Sequence, residues 1–233
     1  MQLTRTDEVL KRNGFSAKDV ALMIPHQANK SLMIDPKTLK IVGTIPTGQR
    51  ESHMLAITPD GRYGYTANVG PGTVSVLDME KKKTLKIIPI SGPTQRISVS
   101  IDGKLAFTSD RTKPDLVVID TATNEIKKRV TMPGRGYGSA PTPDGKYLVI
   151  AVGAEAGAGE EPKVSVIDLK TLKVAHNIDV PAAPQKVLIR PDGAIAYVSC
   201  DKSAKVAAIR VSDWKVDRLI DAGPQVDGLA WAR

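Results

Sequence analysis

One short strand pattern recurs along the chain and constrains its fold more than any other feature. Alternating apolar residues that end in an acid occur in four copies, and a decayed copy follows them, at residues 31–35, 74–78, 116–120, 164–168 and 206–210. The copies follow one another at intervals of about 42 residues, the length of a four-stranded propeller blade. The sequence therefore predicts an all-β chain folded as a β-propeller.

The segments between these copies carry the other strands of each predicted blade. A polar turn and a further strand follow the acid, and a Pro/Gly stop then leads to a short apolar strand that closes with a turn such as Pro59-Asp60-Gly61. This tripeptide favours a tight turn because Pro presets φ, Asp bonds the local backbone and Gly accepts a positive φ. The last predicted strand of each unit is aromatic or β-branched, as at residues 63–67.

The pattern predicts about five blades in one domain that covers residues 1–233, with 1–14 as an atypical N-terminal segment. Residues 20–24 stand in the right register for a strand that pairs with residues 31–35. Residues 226–231 have the pattern of a blade's innermost strand, and no further blade follows them. We expect them to complete the blade begun by residues 20–47, because an open sheet edge invites aggregation.

The composition fits this architecture and limits the partners of the chain. Aromatic residues make up only 4% of the sequence, so the core must consist of aliphatic side chains. The 33 Lys and Arg residues outnumber the 25 Asp and Glu residues, which gives a net charge of +8 and favours anionic partners. A solvated basic surface accounts for the same charge. Because stacking aromatics are scarce, nucleic acid is expected to bind at most weakly and without sequence preference.

The repeats resemble the YVTN or YncE-like family of bacterial propellers over residues 31–233. The matching pieces are the strands at residues 64–68 and 195–199, the Pro-Asp-Gly turns, and VSVID followed by a Lys-Thr-Leu-Lys-like turn. Members of this family commonly have seven blades, so the resemblance implies either a smaller closed ring or an incomplete seven-bladed ring that could form oligomers. It also implies a periplasmic or secreted location. The first 30 residues lack a signal peptide, which indicates a cytoplasmic chain as written.

A second, shorter resemblance concerns residues 10–29. This segment is similar to part of the ketoacyl-ACP synthase III family, in which the histidine corresponding to His26 stabilises a thioester oxyanion. The remainder of that fold, with its nucleophilic cysteine and second catalytic asparagine, has no counterpart in the chain. We therefore interpret the match as a coincidence or a fusion scar and do not expect condensing chemistry.

Candidate site residues are predicted where the innermost strand of each blade begins, because these strands start near the central channel. Counting seven residues back from the turn aspartates gives His53, Gln95, Tyr137 and Gln185, and strand alignment gives Asp227 in the last copy. With the adjacent Arg96 and Lys186 they form a polar and varied set at the channel mouth. A solvated channel wall would also be polar, so a ligand site and a wet channel remain alternatives. The segment GRGYG at 134–138 lies between strands and predicts a bulged turn rather than a phosphate-binding loop.

Histidine could act as a base or a ligand near neutral pH, which draws attention to His53. The sequence has only three histidines, so a metal site formed by several histidines is not expected. A cation site formed by His53 and Asp227 is left as a weakly supported alternative. The single cysteine, Cys200, rules out an intrachain disulfide and is predicted to be a buried, inert thiol. No apolar run approaches the roughly 18 residues of a membrane span.

These observations favour a binding or scaffold protein without catalytic activity, with a small anionic ligand or a protein partner at the channel mouth. No cofactor can be named from the sequence. The alternative is a lactonase- or lyase-type enzyme that uses His53 with Asp227 or Tyr137, and an accessory subunit of a redox enzyme is a further option. Fold does not decide among them, since propellers support many functions.

Overall fold

The computed structural model describes residues 21–23, 29–35, 37–153 and 161–231. These residues form five antiparallel sheets that follow one another along the chain, and within each sheet the strands are neighbours in sequence order. The first sheet contains β1 (Ala21–Met23), β2 (Lys30–Ile34) and β3 (Ile41–Pro46). Because β1 pairs with β2, with Leu22 opposite Met33, the predicted pairing of residues 20–24 with 31–35 is confirmed.

The other four sheets have four strands each, and the bounds of their strands follow sheet by sheet. The second sheet contains β4 (Ser52–Ile57), β5 (Tyr63–Asn68), β6 (Thr73–Asp78) and β7 (Lys83–Pro89). The third contains β8 (Ile97–Val99), β9 (Leu105–Asp110), β10 (Asp115–Asp120) and β11 (Glu125–Thr131). The fourth contains β12 (Gly136–Pro141), β13 (Tyr147–Val152), β14 (Lys163–Asp168) and β15 (Lys173–Asp179). The fifth contains β16 (Pro184–Ile189), β17 (Ile195–Cys200), β18 (Lys205–Arg210) and β19 (Lys215–Asp221), with a short 3-10 helix at Asp201–Ser203.

The turns between the first and second strands of these sheets have the geometry that their sequence predicts. Gly61, Gly103, Gly145 and Gly193 have φ values of 68°, 72°, 70° and 75°. In the fourth sheet the Thr142 hydroxyl group donates a 2.6 Å hydrogen bond to Asp144 Oδ1, and the same atom of Asp144 accepts from the Lys146 amide at 3.1 Å. Each turn therefore combines a left-handed glycine with an aspartate that caps the local backbone.

The core is aliphatic, as the composition requires. In one cluster Val149 and Val166 of the fourth sheet pack against Val187 and Ala196 of the fifth. In another, Ile45 of the first sheet packs against Leu77 of the second. Alternate residues of a strand face opposite sides of a sheet, so residues 148–152 of β13, all fully buried, contribute apolar side chains to both faces of the fourth sheet.

The chain divides into two compact units. The first unit extends to Asp110 and includes residues 119–127, and the second includes residues 111–118 and continues from Lys128. The expectation of one domain over residues 1–233, with 1–14 as an atypical segment, stays a prediction. Residues 154–160 lie outside the described residues, as does His26 with most of the segment similar to ketoacyl-ACP synthase III.

One prediction about the strands is wrong. Residues 226–231 form no strand, and the first sheet has three strands that do not include them. Gly223, Pro224 and Gly228 are poor strand formers, and the Asp227 carbonyl group instead accepts a 2.7 Å hydrogen bond from Ser199 Oγ of β17. Residues 226–231 therefore do not supply a fourth strand to the first sheet.

Candidate functional site

The first strands of three sheets carry a β-bulge at the predicted site positions. In β4 the register shifts between Ser52 and Met54, which leaves His53 as the extra residue. In β12 it shifts between Gly136 and Ser139, and in β16 between Pro184 and Val187. Bulges redirect side chains and are frequent next to binding sites, so the positions found by counting along the sequence share a local geometry. The predicted bulged turn at residues 134–138 is confirmed.

A left-handed residue lies two positions before several of the predicted site residues. Glu51 before His53, Ala183 before Gln185 and Gln225 before Asp227 have φ values of 54°, 59° and 62°. The amide groups of Val69 and Asp201 donate to the carbonyl groups of Glu51 and Ala183, at 2.9 and 3.0 Å. The same chain reversal therefore precedes β4, β16 and residues 226–231, although residues 226–231 do not go on to form a strand.

In the first unit the structure brings His53 and Gln95 into contact. Gln95 Nε2 lies 3.0 Å from His53 Nε2, and both side chains are half-buried. With the carboxamide placed in this orientation its nitrogen donates, so the histidine accepts at Nε2 and carries its proton on Nδ1. Arg96 follows Gln95 directly, and its carbonyl group accepts a 2.6 Å hydrogen bond from Thr108 Oγ1.

In the second unit the bulges of β12 and β16 lie side by side. A Cβ atom on Gly138 would lie 2.2 Å from the carbonyl oxygen of Gln185, so only glycine allows this approach of the two backbones. Tyr137 precedes Gly138 and Lys186 follows Gln185, and all three side chains at these positions are half-buried. The close backbone contact therefore places Tyr137, Gln185 and Lys186 on adjacent strands of one unit.

Two arginines that sequence analysis missed join this group. The Arg111 guanidinium carbon lies 5.9 Å from the centre of the Tyr137 ring, which is within the range of a cation–π contact. Arg135 Nη1 donates a 3.4 Å hydrogen bond to the Arg111 carbonyl group. Arg135 stands two residues before Tyr137 and its sequence position could have identified it. Arg111 comes from the turn between β9 and β10, and no spacing rule links that turn to β12.

The remaining predicted residue, Asp227, is exposed and joins the group through its backbone. Ser199 Oγ accepts a 3.0 Å hydrogen bond from the Lys186 amide and donates to the Asp227 carbonyl group at 2.7 Å. The buried Ser199 hydroxyl group thus connects the bulge of β16 with residues 226–231. We name the set Arg111, Arg135, Tyr137, Gln185 and Lys186 the basic bulge group.

Other chemistry in the described residues is limited. Over residues 21–23, 29–35, 37–153 and 161–231, no group of three or more His, Cys, Asp or Glu side chains is arranged to hold a metal ion. Cys200 is buried at the end of β17, and burial raises the pKa of its thiol to about 11. No helix in this part of the chain is long and apolar enough to cross a membrane.

Comparison with known proteins gives the family. Residues 15–143, more than half of the chain, match the family described as the cytochrome D1 heme domain. The chain belongs to the cytochrome D1 heme domain family. Within it the chain is similar to protein YncE of Salmonella typhi, with 28% identity over 173 residues that cover 72% of this chain and 46% of the relative. The similarity to YncE-like propellers is therefore confirmed.

Two further comparisons concern the architecture. A seven-bladed β-propeller protein of Mycobacterium tuberculosis is 30% identical over 119 residues, which cover 48% of this chain and 29% of the relative. The solved structure of Kuenenia stuttgartiensis hydrazine synthase superposes with a TM-score of 0.54 and 19% identity, and the match covers 83% of this chain and 74% of that chain. The predicted β-propeller architecture of four-stranded blades is confirmed. The chain spans less than half the length of the curated relatives it matches.

Proposed function

We propose that this protein binds a small anionic molecule at the basic bulge group without transforming it chemically. The observation that carries the proposal is the close approach of the β12 and β16 backbones at Gly138, which places Tyr137 next to the strand that carries Gln185 and Lys186, while Arg111 lies over the Tyr137 ring. The side chains combine three cations with an aromatic ring and an amide. Guanidinium and ammonium groups bind carboxylates through charge-assisted hydrogen bonds, and the ring offers a flat apolar surface.

The family name implies a heme group, and the described residues fit such a group only in part. The cations of the basic bulge group suit the carboxylates of a tetrapyrrole. The described histidines do not suit its iron, because His53 Nε2 faces Gln95 Nε2 and exposed His176 lies beside the Trp214 ring, with 5.9 Å between the ring centres. We therefore infer recognition of a planar carboxylate ligand and derive no step that uses a bound iron.

The enzymatic alternative gains no support from the contact of His53. A catalytic histidine is commonly oriented by a carboxylate and acts on a proton within hydrogen-bond reach. Gln95, which contacts His53 Nε2, is a carboxamide and neither gives up nor takes a proton at neutral pH. If wild type turned over lactone or ester substrates and His53→Ala lost this activity, the proposal of binding without catalysis would be wrong.

The binding proposal is tested by fluorescence titration with a metal-free porphyrin dicarboxylate and with its dimethyl ester. We expect the diacid to bind and the ester to bind at least roughly tenfold more weakly, because one charge-assisted contact contributes about that factor. Arg111→Ala and Lys186→Ala should each weaken binding of the diacid by a similar factor. The matched control is Lys128→Ala, a half-buried lysine of the same unit that donates to the Thr171 carbonyl group and lies outside the basic bulge group.

The result that overturns the proposal is equal affinity of wild type and both site variants for the diacid. Equal binding of diacid and ester would also contradict it, since the ester lacks the negative charges. Circular dichroism of each variant shows whether its strands remain folded, so that loss of binding is not confused with loss of structure.

A further inference from the structure

The turn before the last strand of a sheet lies on the side of that sheet that faces the sheet before it in sequence. One residue of this turn has a left-handed φ between 52° and 56° in every sheet: Leu39, Lys82, Asn124, Leu172 and Trp214. In the first unit Asn124 Oδ1 of the third sheet accepts a 2.6 Å hydrogen bond from the Tyr65 hydroxyl group of the second. In the second unit Trp214 of the fifth sheet contacts Tyr147 of the fourth, with 5.3 Å between ring centres. In the third and fifth sheets the turn residue therefore packs backward onto the preceding sheet, whereas Lys82 at the same position of the second sheet is exposed.

The first sheet exposes the residues that make this backward contact. Leu39 is 78% exposed and Ile41 is 60% exposed. Their counterparts in the fifth sheet, Trp214 and Val216, both pack against the cluster formed by the fourth and fifth sheets. A solvent-exposed pair of large aliphatic side chains thus stands at the positions where the fifth sheet packs against the fourth. We name Leu39 and Ile41 the leading surface.

The fifth sheet exposes part of the opposite surface, which normally meets the sheet that follows. One aliphatic residue near the end of each last strand is buried in four sheets: Ile45, Ile88, Val130 and Ile178 are 0%, 4%, 5% and 7% exposed. The counterpart in β19, Ile220, is 37% exposed. In the same sheet Tyr197 is half-buried, whereas its counterpart Tyr65 is fully buried. We name Tyr197 and Ile220 the trailing surface.

We propose that the trailing surface of one molecule binds the leading surface of a second copy. Every copy carries both surfaces, and within the first unit the repeat already packs Ile45 of the first sheet against Leu77 on strand β6 of the next sheet. A second copy therefore supplies the required surface without any other partner. Because the two surfaces differ, the contact is heterologous and joins molecules head to tail.

Sedimentation velocity between about 1 and 100 µM tests this contact, since association of micromolar strength would be complete within that range. Wild type is expected to form oligomers as its concentration rises. Leu39→Lys and Ile220→Lys should each raise the dissociation constant at least roughly tenfold, because burial of an unpaired ammonium group is costly. Leu85→Lys is the matched control, since Leu85 is 43% exposed on β7 and belongs to neither surface.

Mixing the two variants separates a head-to-tail contact from any symmetric one. Leu39→Lys keeps an intact trailing surface and Ile220→Lys keeps an intact leading surface, so an equimolar mixture should form a heterodimer although neither variant associates alone. A monomeric wild type over the whole range overturns the proposal, as does a mixture that stays monomeric. Loss of association in Leu85→Lys also overturns it, because the effect would then come from added charge alone. Circular dichroism confirms the fold of each variant.

Discussion

The second and fourth sheets have the same strand order, but the ends of their second strands fill equivalent buried positions with different chemistry. The strand β5 ends in Thr66-Ala67-Asn68, and β13 ends in Ile150-Ala151-Val152; all six residues are fully buried. Asn68 Nδ2 donates to Thr73 Oγ1 and Ser75 Oγ at 3.1 and 2.9 Å, and Asn68 Oδ1 accepts from Ser52 Oγ at 2.7 Å. Val152 occupies the equivalent site with carbon atoms only.

This difference shows that the repeat tolerates a buried polar group wherever its neighbours complete the hydrogen bonds. Ser52, Thr73 and Ser75 supply the hydroxyl groups around Asn68, so the amide group retains partners after it leaves water. The third and fifth sheets follow the same rule, because Asp110 accepts from the Ser91 hydroxyl group and Cys200 is a weakly polar thiol. The fold therefore determines which positions are buried, and the neighbouring side chains determine whether a polar or an apolar residue can occupy each of them.

The largest effect is expected where the two sheets differ in their first strand. Gly138→Ala places a Cβ atom against the Gln185 carbonyl oxygen, and we expect it to lower the free energy of unfolding by about 3 kcal/mol. Met54→Ala at the equivalent position of β4 should cost about 1 kcal/mol, because Met54 is half-buried. Urea unfolding measures both values. Equal costs would show that the two first strands are packed alike.

Exchange of the two buried residues tests the comparison directly. Asn68→Val leaves buried hydroxyl groups without their amide partner, and Val152→Asn buries an amide group in an apolar setting. We expect each to lower the free energy of unfolding by about 2 kcal/mol. Urea unfolding again provides the measurement. A neutral Asn68→Val variant would mean that the hydrogen-bonded network adds no net stability.

A smaller effect is expected for the hydrogen bond between Tyr65 and Asn124. Tyr65→Phe removes the 2.6 Å bond and keeps the ring, so it should cost about 1 kcal/mol. Tyr197→Phe in the fifth sheet is the control and should change stability by less than about 0.5 kcal/mol. Burial raises the pKa of the Tyr65 phenol, so this group stays protonated in the native protein at neutral pH. If Tyr197→Phe lowered stability more than Tyr65→Phe, the hydroxyl group of Tyr197, and not that of Tyr65, would make the stronger contact.

The smallest effect concerns the turn that both sheets share. The Thr142 hydroxyl hydrogen bond lowers the pKa of the Asp144 carboxyl group, and Thr58 makes the same 2.6 Å bond to Asp60. Because the pKa is lower in the folded protein, the stabilisation is present above the unfolded value of about 4 and is lost as the pH falls through the folded value. Thermal unfolding of Asp144→Asn should therefore depend less on pH below about 4 than that of wild type. Identical profiles would show that this carboxyl group does not contribute.

The sequence predicted the strands more reliably than the contacts among candidate site residues. The period of the repeat located β6, β10, β14 and β18, and register alone predicted β1 although its sequence is degraded. The prediction for residues 226–231 was wrong because an apolar pattern cannot show which partner takes a backbone group, and Ser199 binds the Asp227 carbonyl group. His53 and Gln95 were predicted to lie at the same channel mouth because they occupy equivalent positions in successive repeats.

The sequence by itself determined the all-β architecture, because strand alternation and turn chemistry are local and repeat at a constant interval. It also indicated where the first strands of the sheets begin, whereas the bulges of β4 and β16 were found only in the structure. Only the tertiary structure decided that Gly138 approaches Gln185, that Arg111 lies over the Tyr137 ring, and that Leu39 and Ile220 stay exposed while Trp214 and Ile178 at equivalent positions are buried. These features depend on which sheet packs against which, and that choice reflects the summed burial of many distant side chains rather than any short stretch of sequence.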